Sequence, residues 1–595
     1  MDGSVLDVLV VGAGPTGLTL GLQLHQFGAR VRVVDRLPDR VNQSRAVVLQ
    51  PRSLEVLAGS GGAEEMLECG NRAVRLDIHG RRDRVRSAPL FDIGLGDSAY
   101  PFLLFLSQAE TERILTERLA AGGVRVERGT ELVGFDAGQE ATGKEATGQG
   151  AMGKEATGKR GAGRQVAGEE AADGGGAGDG AVVCRLRHAD GRVEEVAARF
   201  VVGCDGAHSA VRSGAGVEFV GRAYPQTFVL ADVEADGLEP GAVHMFMTLR
   251  GILFFFPLGT PATWRMLSMR PEARTGPAET TAGPGAERPG GARAGAAGGV
   301  SDGSLTLAEA QAIVDSHATR PVRLHDPVWL TTFRLHCRRA KHYRVGRVFL
   351  AGDAAHIHSP AGGQGMNVGI QDSVNLGWKL AMVCAGVAPP DILDSYEVER
   401  EPVGREVLRF TDRAFAAATS TNPVVRLIRA TLVPRVLPVL LAARPVRATA
   451  FRVVSELGIT YRDSPLSVDA AGTGRDGPRA GDRLPDGPVR KDGAPSTLHA
   501  ALAAPGWHEL VASPGQLRVR RIWPAPAGEV SLTDPDGQVS SRLGLTSQRE
   551  MRFLLRPDGH IGYRGPATDD AAAAAYLRTW LPGYRNDRGA AEVTR

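Results

Sequence analysis

Residues 7 to 36 read DVLVVGAGPTGLTLGLQLHQFGARVRVVDR. The aliphatic run from Val8 to Val11 has the length and character of a buried strand. Gly12, Gly14 and Gly17 follow at the spacing of a strand-to-helix turn, with Thr16 among them. The next residues carry apolar side chains at helical intervals, and a second apolar strand ends at Asp35, beside Arg36. This is a βαβ unit of Rossmann type. Unpaired N–H groups at the helix start hold a pyrophosphate. A carboxylate about twenty residues on accepts hydrogen bonds from ribose hydroxyls. The pattern suits NAD and FAD alike.

A second stretch separates the two. AGDAAHIHSPAGGQGMNVGIQDSVNLGWKLA, residues 351 to 381, continues an apolar strand (347 to 351) that ends in Gly352-Asp353. It then runs through a glycine-rich loop into a helix expected from Gln371 to Leu380. Such a loop sets a helix N-terminus, with its unpaired donors and partial positive charge, against a group that carries or develops negative charge. A flavin ring fits, because its N1–C2 carbonyl edge becomes anionic on reduction.

The chain has 595 residues, enough for three or four structural units. Hydrophobic residues make up 43% and charged residues 23%, and the net charge of +3 provides no field for nucleic acid. Cys69, Cys184, Cys204, Cys337 and Cys384 are scattered, without zinc-like spacing. No metal site is therefore expected, and a reducing, cytoplasmic location is. The apolar start lacks the basic leader of a signal peptide. The apolar stretch from Val424 to Val446 is broken by arginines and prolines. It is too interrupted to span a bilayer, so a pair of packed helices is expected there and no membrane partner. Residues 137–181 and 271–303 are rich in glycine and charge and read as low-complexity insertions in surface loops.

Two further stretches, FVVGCDGAHSAVR (200 to 212) and GRVFLAGDAAHIHSPAGGQGMNVGIQDSVNLGWKLA (346 to 381), resemble, together with the first, the three fingerprints of the group A flavoprotein aromatic hydroxylases, the para-hydroxybenzoate hydroxylase family. The resemblance is nearest to the aromatic polyketide hydroxylases and rifampicin monooxygenase. It implies an α/β fold: a Rossmann-type FAD-binding domain (1–75, 107–214 and 346–400) with an inserted, mostly antiparallel substrate domain (76–106 and 215–345). A helical connector (401–465) and a thioredoxin-like domain without cysteines (466–595) would follow. Asp353 would bind the ribityl hydroxyls, and Gly365, Met366 and Asn367 would offer backbone N–H groups to the isoalloxazine. Asp205 and Gly206 would serve FAD and, transiently, the nicotinamide pyrophosphate. Arg45 would touch the flavin and Gln108 the ribityl chain. Leu132, taken as the end of its strand, would meet adenine through its backbone. Gly12, Gly14, Thr16, Gly17, Asp35 and Arg36 complete the cofactor set.

The implied activity is FAD-dependent hydroxylation of an aromatic polyketide with NAD(P)H and O2, through a flavin C4a-hydroperoxide. A Baeyer-Villiger oxidation on the same scaffold and a non-catalytic flavin- or ligand-binding protein remain open. So does the choice between monomer and homodimer. No catalytic side chain is assigned. His356 and His358 beside the glycine loop read as structural before catalytic, and of Phe254, Phe255 and Phe256 at least one could stack on substrate.

Overall fold

The computed structural model of the chain describes residues 5–40, 46–72, 74–80, 85–90, 92–137, 180–259, 262–270, 305–359, 361–420, 422–471, 473–474, 476–524, 528–545 and 550–583. Arg45 and nearly all of both expected insertions lie outside them.

The fold is α/β, built on three large sheets. In the first, strand Leu6–Val11 lies between Val193–Gly203 and Val31–Asp35, and Val348–Leu350 flanks Val193–Gly203; all three pairings are parallel. The registers align Val11 with Val34 and Gly203, and Gly203 with Leu350. Turns from distant parts of the sequence therefore leave the sheet at one edge, its carboxyl end, where open α/β sheets bind ligands. Helices Pro15–Gln26 and Gly365–Cys384 cover this sheet. The second helix starts at Gly365, earlier than the expected Gln371, because Gly363 at φ +64° ends the loop just before it.

The second sheet has the strand order His356–Ile357, Arg323–Ala340, Phe219–Asp236, Trp264–Met269, Ile252–Pro257, Ala242–Met247, Arg75–His79, Val85–Pro89. Every pairing is antiparallel except that of Ala242–Met247 with Arg75–His79. One face, with Phe255, Trp264 and Met266, packs on helix Leu307–His317. The other carries Phe254 and Phe256, stacked with ring centres 5.4 Å apart.

The stretch from Val424 to Val446 holds the two packed helices expected there, Pro423–Thr431 and Val433–Ala442, and a third, Arg444–Val454, begins at its end. Prolines at the first turns of all three mark the helix starts, where proline is well suited, while Pro438 lies inside the second. No helix among the described residues is long and apolar enough to cross a membrane. The C-terminal unit, whose sequence holds no cysteine, is an eight-stranded sheet with one parallel pairing, Val468–Asp469 on Ile561–Pro566. Buried ion pairs tie it to the first unit: Arg556 binds Glu399 at 2.6 Å, and Lys379 meets the same carboxylate at 2.7 Å.

Candidate functional site

Three turns meet at the carboxyl edge of the first sheet. Gly12 has φ +104°, and a Cβ there would strike the Cys204 backbone, so the first turn presses directly on the second. Gly17 is equally confined, against the Gly12 carbonyl. Gly14 differs: a Cβ there would meet nothing within 4 Å. The first turn thus has a packed side and an open side. Asp35 shapes it, accepting the Ala13 N–H through Oδ2 at 2.7 Å and the Leu37 N–H through Oδ1 at 2.9 Å, with an Arg128 guanidinium nitrogen 3.7 Å away. Each carboxylate oxygen keeps a lone pair for a hydroxyl. Arg36 is exposed beside it.

In the second turn, Asp205 Oδ2 accepts the N–H groups of Ala210 (2.7 Å) and Val211 (3.3 Å), while buried Oδ1 has no hydrogen-bond partner. Burial pushes this carboxyl up from its usual range, against the pull of its hydrogen bonds. Gly206 has φ +80° and open space where a Cβ would be. Ser209 caps the short helix Ala210–Gly214 by accepting the Arg212 N–H at 2.9 Å. Arg212 reaches the Ala354 carbonyl at 2.9 Å, joining the second turn to the third.

The third turn begins at Gly352, whose N–H donates to Asp372 Oδ2 at 2.9 Å; a Cβ there would lie 2.5 Å from Thr16 Oγ1. Thr16 is therefore a packing contact between the first and third fingerprints. Asp353 is exposed at the strand end. Downstream, the first intrahelical bond runs from the Val368 N–H to the Gln364 carbonyl. The N–H groups of Gly365, Met366 and Asn367 precede it, where a helix leaves donors unsatisfied. The Asn367 side chain is structural: it accepts the Gln50 N–H (2.8 Å) and donates to Val48 (2.9 Å) and Gly363 (2.8 Å) carbonyls.

Gln108 begins helix Gln108–Ala121 and clasps Ala46, donating its N–H to the Ala46 carbonyl at 3.0 Å and accepting the Ala46 N–H at 3.3 Å; its side chain also donates to Glu112 at 2.8 Å. Leu132 is the second residue of strand Glu131–Asp136 and not its end, paired with Leu186, its side chain buried. The strand continues because Val182–Arg187 supplies an antiparallel partner far along the sequence, invisible to local pattern.

Sequence reasoning missed the floor of the site. Asp372, wholly buried, accepts from Gly352, from His356 Nε2 (2.8 Å) and from Arg400 Nε (2.6 Å). Burial alone would raise its carboxyl pKa, but Arg400 and His356 hold it below the usual range. Arg400 donates onward to the Tyr461 hydroxyl at 2.8 Å. The signal lay in the polar residues Asn367, Gln371, Asp372, Ser373, Asn375 and Lys379 of a helix otherwise apolar and buried from Met366 to Val383. His356 thus belongs to an ion network. His358 is pushed down to about 4 by burial and is neutral at physiological pH, its Nε2 without a partner.

An unfilled Cβ space at Gly14 and at Gly206, an orphaned Asp205 oxygen, and three helix-start donors at Gly365 to Asn367 converge on one edge. Oxygen acceptors for hydroxyls and bare donors for phosphate and a flat ring are the polar groups that a flavin dinucleotide presents to a protein. The residues fit FAD.

The model for the FAD binding domain matches residues 5–157 and 170–411. The chain is 34% identical to 6-methylpretetramide 4-monooxygenase of Streptomyces rimosus over 96% of this chain and 93% of that one. It is 32% identical to rifampicin monooxygenase of Streptomyces venezuelae, over 94% and 96%. Among solved structures, anhydrotetracycline hydroxylase from Streptomyces rimosus superposes with a TM-score of 0.66 at 27% identity, covering 97% of this chain and 99% of that one.

The chain belongs to this family of FAD-dependent monooxygenases. Its cofactor is FAD. In this monooxygenase the three turns lie over a floor of buried charge, and the apolar face of the second sheet carries Phe254 and Phe256 on the side away from Phe255.

Proposed function

We propose that the enzyme hydroxylates an aromatic polyketide, a polycyclic phenol or quinone of antibiotic-type secondary metabolism, with NAD(P)H as reductant and dioxygen as oxidant. Bound FAD supplies the redox chemistry. The observation that carries this reading is the pairing of a flavin-type edge with an aromatic sheet face: Phe254 and Phe256 are only partly buried and stack on each other, with Val243, Leu76 and Phe451 around them. Such a surface suits a flat, electron-rich ring system. The curated relatives named above act on compounds of this kind by their names, and match this chain over nearly its whole length.

This chain's residues have assignable tasks. Gly14 would leave the first turn open for the pyrophosphate, and Asp35 would take the ribose hydroxyls. Asp353 would take the ribityl hydroxyls, and Asp205 with Gly206 would serve FAD and, transiently, the nicotinamide pyrophosphate. The N–H groups of Gly365, Met366 and Asn367 would hold the isoalloxazine, and the helix N-terminus they form would favour negative charge on it. Neutral His358 adds no positive charge beside them. Helices Val433–Ala442 and Arg444–Val454 exclude water from the aromatic face by packing Val433, Leu437, Ala448 and Phe451 towards it.

Turnover of the purified protein on a panel of tetracyclic and angular phenols, read by mass spectrometry, tests the reading. A product heavier by one oxygen supports it; NAD(P)H consumption that never yields an oxygenated aromatic on any panel member contradicts it.

A further inference from the structure

Helix Pro423–Thr431 is built inside out. Its buried positions are held by Arg429 and Ala430, while Val424, Leu427, Ile428 and, just beyond its end, Leu432 form a stripe at helical spacing that faces solvent, Val424 being 62% exposed. Leu432 leads into helix Val433–Ala442, where Val436, Val439 and Leu440 continue the stripe outward, Val439 being 60% exposed. Singly exposed aliphatics are ordinary, but a continuous apolar stripe on adjoining helices marks an interaction surface.

Charge identifies what it meets. Between Asp412 and Glu456 the chain carries seven arginines and no carboxylate. Arg447 and Arg452 pair with Asp92 and Asp97, and Arg429 is buried. Among the described residues no carboxylate lies within ion-pair distance of Arg413, Arg426, Arg435 or Arg444. A second copy of the chain, docked on the same surface by a two-fold axis, would set these arginines against each other. An anionic lipid surface would not. Apolar residues entering the headgroup region with arginines around them describe a helix lying in a membrane interface.

We propose that helices Pro423–Thr431 and Val433–Ala442 dock the enzyme on an anionic bilayer surface. Surface docking requires no membrane-spanning helix, and none is present among the described residues. The opposite side of helix Val433–Ala442, through Val433 and Leu437, roofs the sheet face that carries Phe254. The lipid surface would thus sit about one helix diameter, roughly 10 Å, from the aromatic face.

The test is cosedimentation of full-length, FAD-loaded protein with vesicles of mixed phosphatidylglycerol and phosphatidylcholine, and with phosphatidylcholine alone. Wild type should pellet with the anionic vesicles and stay in solution with the neutral ones. The double variant Leu427→Asp/Val439→Asp should lose binding while keeping its flavin content and melting temperature, since both side chains are exposed. Arg435→Ala and Arg444→Ala should each weaken binding about fivefold and flatten its salt dependence. Absence of wild-type binding to anionic vesicles would overturn the proposal. So would undiminished binding by the double variant. A wild-type dimer in sedimentation velocity that dissociates in the double variant, with no vesicle binding, would assign the stripe to a second copy and also overturn it.

Discussion

Asp372 accepts the N–H of Gly352 at 2.9 Å. One contact therefore fixes the residue immediately before Asp353 to a helix that starts under the candidate ring site. The same carboxylate is held by Arg400 and His356, so the position of the third turn depends on a buried charge balance.

Asp372→Asn removes the charge and leaves Arg400 buried without its ionic partner. Breaking a buried pair in this way costs about 3 to 5 kcal/mol. The expected result is a marked fall in melting temperature and, in protein that still folds, weaker FAD retention. Differential scanning fluorimetry and flavin absorbance after dialysis check it; unchanged values for both would show that the network does not position the turn.

Gly12 and Gly14 lie two residues apart and should respond oppositely. Gly12→Ala forces a Cβ into the Cys204 backbone at a φ that side chains rarely adopt, and should abolish folding. Gly14→Ala meets open space at φ −76°. The FAD-free protein should keep its stability within about 1 kcal/mol, while FAD affinity drops because the methyl occupies the pyrophosphate's approach. Titration of FAD into stripped protein separates the two effects, and full FAD affinity in the Gly14 variant would move the pyrophosphate elsewhere.

The three consecutive phenylalanines divide in the same way. Phe255 is fully buried against Trp264 and Phe246, and Phe255→Ala should cost about 3 to 5 kcal/mol. Phe256→Ala removes a partly buried ring from the opposite face. It should cost less stability and instead raise KM for the aromatic substrate. Steady-state kinetics with an unaltered KM would take Phe256 out of substrate contact.

Glu456 is buried, accepts from Gln371, and has its carboxyl pushed up to about 8 by burial. Between the ordinary glutamate range and pH 8 the folded state therefore holds a proton that the unfolded chain has released. The associated stability is fully present below the unfolded pKa and is lost as pH rises through 8, at up to about 1.4 kcal/mol per pH unit. Glu456→Gln, which cannot ionise, should flatten the decline. Urea unfolding at pH 5 and pH 7.5 measures it, and identical slopes in wild type and variant would contradict the assignment.

The fingerprint turns were legible because glycine and aspartate at fixed offsets after an aliphatic strand have few structural uses. Gly12, Gly14, Asp35, Asp205 and Asp353 all fall on the edge that their motifs imply. What local pattern missed came from partners far away in the chain. Leu132 reads as a strand end until Val182–Arg187 pairs beside it, and Asp372 reads as one polar residue in a helix until Arg400 and His356 close around it. The stripe at Val424 to Leu440 was visible as apolar sequence, but only the fold reveals that Arg429 and Ala430 take the inner face and turn the stripe outward.

The central claim is that this chain inserts one atom of dioxygen into an aromatic ring. Turnover under oxygen-18 gas with NAD(P)H, with the product analysed by mass spectrometry, tests it most directly. The expected result is an aromatic product carrying one heavy oxygen atom, formed only when FAD, NAD(P)H and dioxygen are all present. An oxygenated product whose new oxygen comes from water, or one formed equally well by FAD-free protein, would contradict it.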